Sequence, residues 1–323
     1  MSLTEASTPS GRGRSQSGPA LRFGPRLSAA GRRRLFLFLM GAPAVVYVLA
    51  VAGWPLAQGV WLSFYNYSLI HPGSRHFVGL DNYVALWTDR AARRSVITTV
   101  EFTICAVALE LAFGMALALL LWRDGRFERI ALALLLIPVT VTPVAVGLVF
   151  RALLTPDLGL LGYHAAQLGL SSPRGFLGDP NTALGAIVVI DTWEWTPLMA
   201  LILLAGLKSL PHEMMEAAEV DGAGSWPRFW RIILPMLLPS VFLALVLRTM
   251  DAFRVFDIVF ATTGGGPADA TDVLMFYAVK QGLEFFNIGF AASVANSMVV
   301  FIAIFAAIFI LLVRRADRLA AET

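Results

Sequence analysis

The chain has 323 residues, of which 57% are hydrophobic and only 15% charged, with a mean hydropathy of +0.71. A soluble domain carries roughly 25% charged residues, so an ordinary soluble protein is excluded, and a net charge of +3 gives no support to nucleic-acid binding. The single cysteine, Cys105, excludes an internal disulfide framework, and His71, His76, His164 and His212 lack a companion set of Cys or carboxylates at metal spacing, so no metal site is expected.

Residues 1–34 are rich in Ser, Gly, Pro and Arg, with Glu5 as the only acid. They lack apolar periodicity, which predicts a disordered tail. An Arg- and Ser-rich start also resembles an organellar transit peptide; the simpler reading is that the arginines hold the tail in the cytoplasm. No secretory signal is expected, because the first apolar block, from Leu35, is long enough to span and has no A-x-A-like cleavage site after it.

The apolar residues fall in blocks of the roughly 20 residues needed to cross a bilayer. Six spans are predicted, at about 35–60, 97–122, 130–154, 184–207, 239–262 and 288–313. In hydrocarbon each backbone amide must be paired within its segment, so each span should be helical and the fold all-α. Pro138 and Pro143 predict a kink or a broken helix in the third span. The boundaries predict one membrane domain over 35–315 and a short tail over 316–323.

Basic residues set the orientation. With the N-terminus inside, the cytoplasmic segments hold Arg12, Arg14, Arg22, Arg26 and Arg32 to Arg34; Arg123, Arg126 and Arg129; Lys208, Arg228 and Arg231; and Arg314, Arg315 and Arg318. The opposite side holds only Arg75, Arg90, Arg93, Arg94, Arg174 and Lys280. The bias predicts both termini in the cytoplasm. The outer loop 61–96 carries Trp61, Tyr65, Tyr67 and Trp87, which read as interfacial anchors or as a surface for an external partner.

Residues 208–235 form a polar elbow between the fourth and fifth spans. Ser209 is expected to cap a first short helix with Pro211 in its early turn, and Gly222 to end it in the left-handed conformation. Ser225 offers a second cap, with Pro227 in the first turn, and Leu234-Pro235 and Pro239 are expected to end that second helix. Ala217 and Ala218 would expose backbone to a docking partner, and Glu216 and Glu219 would offer carboxylates to its basic groups. An ordinary loop helix fits the same residues.

The run Glu216-Ala-Ala-Glu-Val-Asp-Gly-Ala223, with Phe229, Ile232 and Leu234-Pro235, resembles the EAA motif of permease subunits of binding-protein-dependent ABC importers. The run from Arg248 to Asp257, followed by Thr263-Gly-Gly-Gly-Pro267, resembles the fifth span and following loop of the carbohydrate importers of the maltose, trehalose and glycerol-phosphate type. Gly79-Leu-Asp-Asn-Tyr83 resembles their first external loop. The likeness covers about 35–315.

The resemblance implies a type I importer permease fold in a bacterial cytoplasmic (inner) membrane. It implies a second, related permease subunit, two ATP-binding cassette subunits that hold ATP and Mg, and an extracytoplasmic sugar-binding protein. It also makes Glu216, Ala217, Ala218, Asp221 and Gly222 the ATPase-coupling residues. No Walker sequence occurs in the chain, since Gly264-Gly-Gly-Pro267 lacks the G-K-[ST] that cradles phosphate. ATP hydrolysis is therefore expected on another chain, and this chain is not expected to be an enzyme or to hold a cofactor.

Arg248, Asp251, Arg254 and Asp257 alternate in sign at intervals of three, so on one helix each would meet an opposite charge. They read as an ion-pair ladder that locks the bundle, as a polar wall for a hydroxylated solute, or as both. A voltage sensor is disfavoured because only two arginines occur and acids flank both. In the fourth span, Trp193 could stack on a sugar and Glu194 accept its hydroxyl protons, or both could fill the core; Asp191 lies beside them. Glu101 and Glu110 are expected to be partnered or to meet another subunit. Asn296 and Ser297 are expected to bond between helices or to touch solute.

The candidate substrate pathway is thus Arg248, Asp251, Arg254, Trp193, Glu194 and Asn296. Two other classes compete. A proton-coupled secondary transporter would use Asp251 or Glu194, and a membrane-embedded enzyme would need a nucleophile–base or metal constellation that the spans, which lack His, do not offer.

Overall fold

A computed structural model describes residues 29–71, 73, 75–122 and 125–321. Most of the expected N-terminal tail lies outside them; helix α1 (Ala29–Val48) already begins within its last residues. The chain divides into two units, Met1–Pro55 and Leu56–Thr323. The described part of the first is α1 and a π turn at Leu49–Gly53, which runs without a break into α2 (Trp54–Leu62). The larger unit is helical apart from one antiparallel hairpin, β1 (Tyr65–Asn66) on β2 (His76–Phe77), with Tyr65 opposite Phe77.

Its spans form where the apolar blocks predict, with shifted ends. After α3 (Asp81–Thr88), the second span is α4 (Arg90–Leu120). Asp89 caps it, its carboxylate accepting the Ala92 amide at 2.7 Å, which starts the helix a full two turns before the apolar block. The third span is a broken pair, α5 (Arg126–Thr140) and α6 (Pro143–Leu154), bent by 93°. Pro138 inside α5 and Pro143 at the start of α6 account for the break, since each lacks the amide a continuous helix needs. After α7 (Leu160–Gln167) comes the fourth span, α8 (Ala183–Lys208).

In α8, 67% of the most apolar stretch is buried, against 33% or less in the other unbroken spans, so α8 is the axis around which the larger unit packs. It touches α4, α5, α6 and the fifth span. The crossing with the fifth span is close at Gly206, where any Cβ would stand 2.3 Å from the Ser240 hydroxyl and 2.7 Å from Leu237; small residues are what permit such approach between membrane helices.

The fifth span departs from the sequence expectation at both ends. Leu234-Pro235 and Pro239 do not end the elbow's second helix. Instead α10 (Ser225–Arg228) continues through a π turn at Phe229–Ile233 into α11 (Leu234–Ala252). Pro235 sits at the start of α11, where its missing amide is tolerated, and the π turn closes with the Leu234 amide on the Phe229 carbonyl. At the other end the helix stops at Ala252, and α12 (Asp257–Thr262) is a separate element. The four charges therefore do not share one helix: Arg248 and Asp251 lie on α11, Arg254 in the turn, and Asp257 opens α12.

The loop between the fifth and last spans then makes α13 (Leu274–Val279), and the last span, α14 (Ile288–Ala321), continues helically past the expected span end at about 313. Among the described residues five helices are long and apolar enough to cross a membrane, and the bent α5–α6 pair, taken as one broken span, makes a sixth.

Apolar clusters hold the bundle at two levels. One joins Phe102, Ile187, Ile190, Met199, Ile258 and Val273 around the middle of α4, α8 and α12. Another joins Leu121, Leu203, Leu207, Leu210, Ile233 and Leu237 at the elbow end, with Met215 and Phe229 of the elbow packed against it.

Candidate functional site

Arg248 is the centre of the site. Along α11, Val241, Ala244, Arg248 and Ala252 are the buried stripe, so a guanidinium is carried on the face that otherwise presents apolar side chains to the bundle. Only 1% of Arg248 is exposed. A charge so placed requires partners in fixed geometry, and three helices supply them.

From α4, Glu110 takes a bidentate pair, Arg248 Nε to Oε2 and Nη2 to Oε1, both at 2.6 Å. From α8, Asp191 Oδ2 accepts from Nη2 at 2.5 Å. From α11 itself, Asp251 Oδ2 accepts from Nη1 at 2.7 Å. The Trp195 ring, one helical turn beyond Asp191, has the guanidinium carbon 4.9 Å from its centroid, a cation–π contact.

Glu110 and Asp191 are buried, whereas the Asp251 and Arg254 side chains are 43% and 61% exposed. Arg254 Nη2 reaches Asp251 Oδ1 at 3.5 Å. The cluster thus runs from a sealed interior to an open rim, with Arg248 and Arg254 set against Glu110, Asp191 and Asp251. The surplus acid is in the sealed interior, where Glu110 and Asp191 share Arg248, while Asp251 and Arg254 face each other at the open rim.

The rim is a polar cavity of about 90 Å³ lined by Asp191, Trp195, Arg248, Asp251, Arg254, Phe256 and Asp257, among others. This holds a few waters; ligand pockets are typically about 300–1,000 Å³. Charged hydrogen-bonding groups beside aromatic faces suit a polyhydroxylated solute, but the described chain shapes only part of a wall around one.

The structure separates the six pathway candidates. Arg248, Asp251 and Arg254 meet at this rim. Trp193 points elsewhere, edge-on to Phe150 at 5.2 Å and along an apolar groove between α4, α5 and α8. Asn296 donates to the Gly59 carbonyl at 3.2 Å, a helix-to-helix bond. Glu194 is fully buried, and neither carboxylate oxygen has a partner among the described residues. Three rim or core participants were not among the candidates: Glu110, Asp191 and Trp195. The i, i+4 spacing of Asp191 and Trp195, which puts both on one face of α8, is the signal that finds two of them.

The elbow between the fourth and fifth spans is the second candidate element. Its first helix is α9 (His212–Val220). Gly222 follows at φ +72°, and the Ala223 amide bonds the Ala218 carbonyl at 2.9 Å, so the expected left-handed stop is present. Two expected caps are not. Ser209 donates to the Gly206 carbonyl and so closes α8, and Gly224, rather than Ser225, precedes α10.

Ala218 is buried and so does not offer the exposed backbone expected of it; Met215 packs α9 against the apolar cluster at the elbow end. Glu216, Asp221 and Gly222 are exposed on the outside, and Ala217 lies in α9 between Glu216 and Ala218. Beside the elbow, Lys208 at the end of α8 pairs with the buried Glu128 of α5, which fixes the elbow's starting point to the broken span.

Among the described residues no group of three His, Cys, Asp or Glu could hold a metal ion.

Comparison with known proteins places the whole arrangement. Residues 110–321 match the family described as the inner membrane component of binding-protein-dependent transport systems. The chain is 33% identical over 287 residues to the trehalose transport system permease protein SugA of Mycobacterium tuberculosis, covering 88% of this chain and 90% of that one. It is 36% identical over 264 residues to the trehalose/maltose transport system permease protein MalF of Thermococcus litoralis, covering 81% and 89%. Among solved structures, it resembles a chain of a bacterial alginate ABC transporter in complex with an alginate pentasaccharide-bound periplasmic protein. The TM-score there is 0.76 at 21% identity, with 90% and 98% covered; at that identity the likeness shows the fold alone.

Proposed function

Since the chain belongs to the inner membrane components of binding-protein-dependent transport systems, we propose that it is one permease subunit of an ATP-driven importer that moves a carbohydrate into the cytoplasm by alternating access. It is a multi-pass membrane protein and not itself a catalyst. In this reading it sits in a bacterial cytoplasmic membrane with both termini inside. A second permease subunit completes the solute path, two ATPase subunits bind ATP and Mg, and an extracytoplasmic binding protein delivers the sugar. The functions by which the relatives are named, trehalose and maltose transport, support the substrate class.

The observation that carries the proposal is continuity. One helical run, Ser225–Ala252, leads from the exposed elbow to Arg248 and Asp251 at the polar rim. At about 1.5 Å per residue it is a rod of roughly 40 Å, so a push on the elbow at Glu216, Ala217, Asp221 and Gly222, once handed across the short turn at Gly222 to Ser225, is carried along one helix to the ion cluster. The small cavity supports the same reading, since a sugar needs a second wall. Arg248, Asp251 and Arg254, with Asp191 and Trp195, are the side chains assigned to the path. Trp193 and Asn296 are assigned to packing, and Glu194 stands behind the wall.

The test is uptake into proteoliposomes holding this chain, its partner permease, the ATPase chains and the binding protein. Labelled trehalose is expected to enter only with ATP, and collapse of the proton gradient is expected to leave the rate unchanged. Uptake by this chain alone, driven by a proton gradient, would overturn the proposal.

A further inference from the structure

The elbow's second helix carries an aromatic pair that the coupling role does not use. Trp226 and Trp230, one turn apart, are 72% and 50% exposed, with ring centroids 5.6 Å from each other. Phe229 and Ile233, on the other side of the same turn, pack into the apolar cluster at the elbow end. The tryptophans therefore point outward by construction: the inward face is already filled.

The depth of this pair follows from the charges around it. Arg231 is exposed, and from there to Arg248 the helix carries no charge over residues 232–247. That stretch is about 24 Å long at the α-helical rise, most of a hydrocarbon layer of about 30 Å. An exposed arginine cannot sit in that layer unpartnered, so Arg231 marks its edge. The tryptophans lie within five residues of it on the elbow side. Two large apolar rings with polar N–H edges, beside a cation, at the level where hydrocarbon ends, have the composition that favours the headgroup zone. Cationic flanks add attraction for anionic lipid.

We propose that Trp226 and Trp230, with Arg231, seat the elbow in the anionic headgroup layer of the leaflet on its side, and that this seat is the bearing about which the Ser225–Ala252 rod tilts. The seating stands by itself; its role as a bearing rests on the coupling reading above. The competing occupant, the surface of an ATPase chain, lacks the argument from depth: the outward face of α9, not of α10, lies farthest along the chain from the span.

A depth measurement decides it. In a Cys105→Ser background, which has no other cysteine, a nitroxide is attached at Trp226→Cys and, as a water-facing reference, at Glu213→Cys. The full chain is placed in bilayer nanodiscs containing one quarter phosphatidylglycerol, with and without its ATPase chains. Collision with oxygen and with an aqueous nickel chelate then gives depth. The label at 226 is expected roughly 5–10 Å into the headgroup and acyl boundary in both preparations, with the reference in water. The proposal is overturned if 226 is as open to nickel as 213, or if it becomes shielded only when the ATPase chains are present. Failure of the coupling reading would appear instead as normal ATP-driven uptake in elbow variants, with the depth at 226 unchanged.

Discussion

Replacing Arg248 by Met tests the central cluster. The substitution keeps the volume of the stem and removes the only cation, among the described residues, that touches Glu110 and Asp191, both of which are buried. Four donor contacts vanish, at 2.6, 2.6, 2.5 and 2.7 Å. What decides the cost is not the loss of those bonds but the two carboxylates left in a dry site. Breaking a buried pair from one side costs about 3–5 kcal/mol, or two to three and a half orders of magnitude in the folding equilibrium. If the cost arises from stranded charge, neutralising the acids as well should recover most of it. Arg248→Met with Glu110→Gln and Asp191→Asn is therefore expected to be at least about 2 kcal/mol more stable than Arg248→Met alone. Reversible unfolding in mixed micelles, followed by far-UV ellipticity, measures both. Additive losses across the three substitutions would refute the reasoning, because they would show that the groups act as separate packing residues.

Two further outcomes are expected. Glu216→Lys reverses an exposed charge on the outer face of α9, so the helical content should stay as in the native chain while ATP-driven uptake falls at least tenfold and the ATPase chains co-purify poorly. Normal uptake together with normal co-purification would contradict the docking assignment. In the loop between the fifth and last spans, burial pushes the Asp272 carboxyl up to about 6, against the opposing pull of Lys280, whose Nζ lies 3.6 Å from Oδ2. The folded state then holds a proton that the unfolded chain has released, so this group's contribution to stability falls as pH rises from about 4 to about 6 and stays low above that. Limited proteolysis of the 263–287 loop should show Asp272→Asn more resistant than the native chain at pH 7.5 and equal to it near pH 4; equal resistance at both pH values would contradict this.

The spans were legible because their signal is local. Each is an apolar block long enough to cross a bilayer, and Pro138 and Pro143 announced the 93° break through a missing amide that no tertiary contact can replace. The stop at Gly222 was legible for the same kind of reason, since a backbone at φ +72° favours a residue without a Cβ. The end of α11 was not. The run Ala252-Phe-Arg-Val-Phe-Asp257 contains no Gly or Pro, so nothing local forbids continuing the helix. The chain turns there because Phe253 on one side and Ile258 and Val259 on the other each gain a place in an apolar cluster, which a straight helix would not give to both.

The elbow misled in the opposite direction. Pro235 and Pro239 argue for a stop, yet the helix passes through both. Pro235 lies at the start of α11, directly behind a π turn in which the Leu234 amide bonds the Phe229 carbonyl five residues back, so the ladder there is already out of the regular α register. The site itself was half visible. The charge alternation from Arg248 to Asp257 identified the residues at the rim, but the deepest partner, Glu110, lies 138 residues from Arg248 in sequence, and no spacing rule spans that distance. What sequence could establish is that a guanidinium on the apolar stripe of a membrane helix must be met by carboxylates from elsewhere. Which helices answer is fixed by α8, whose closeness to both α4 and α11 brings Glu110, Asp191 and Arg248 to one point. That dependence makes the cluster a sensor of the α4–α8–α11 packing: a tilt of the Ser225–Ala252 rod that moves Arg248 by an ångström or two must either stretch the bidentate Glu110 pair or carry α4 along with it. A stiff charge-assisted pair favours the second, so the rim and the two spans behind it are expected to move as one body when the elbow is driven.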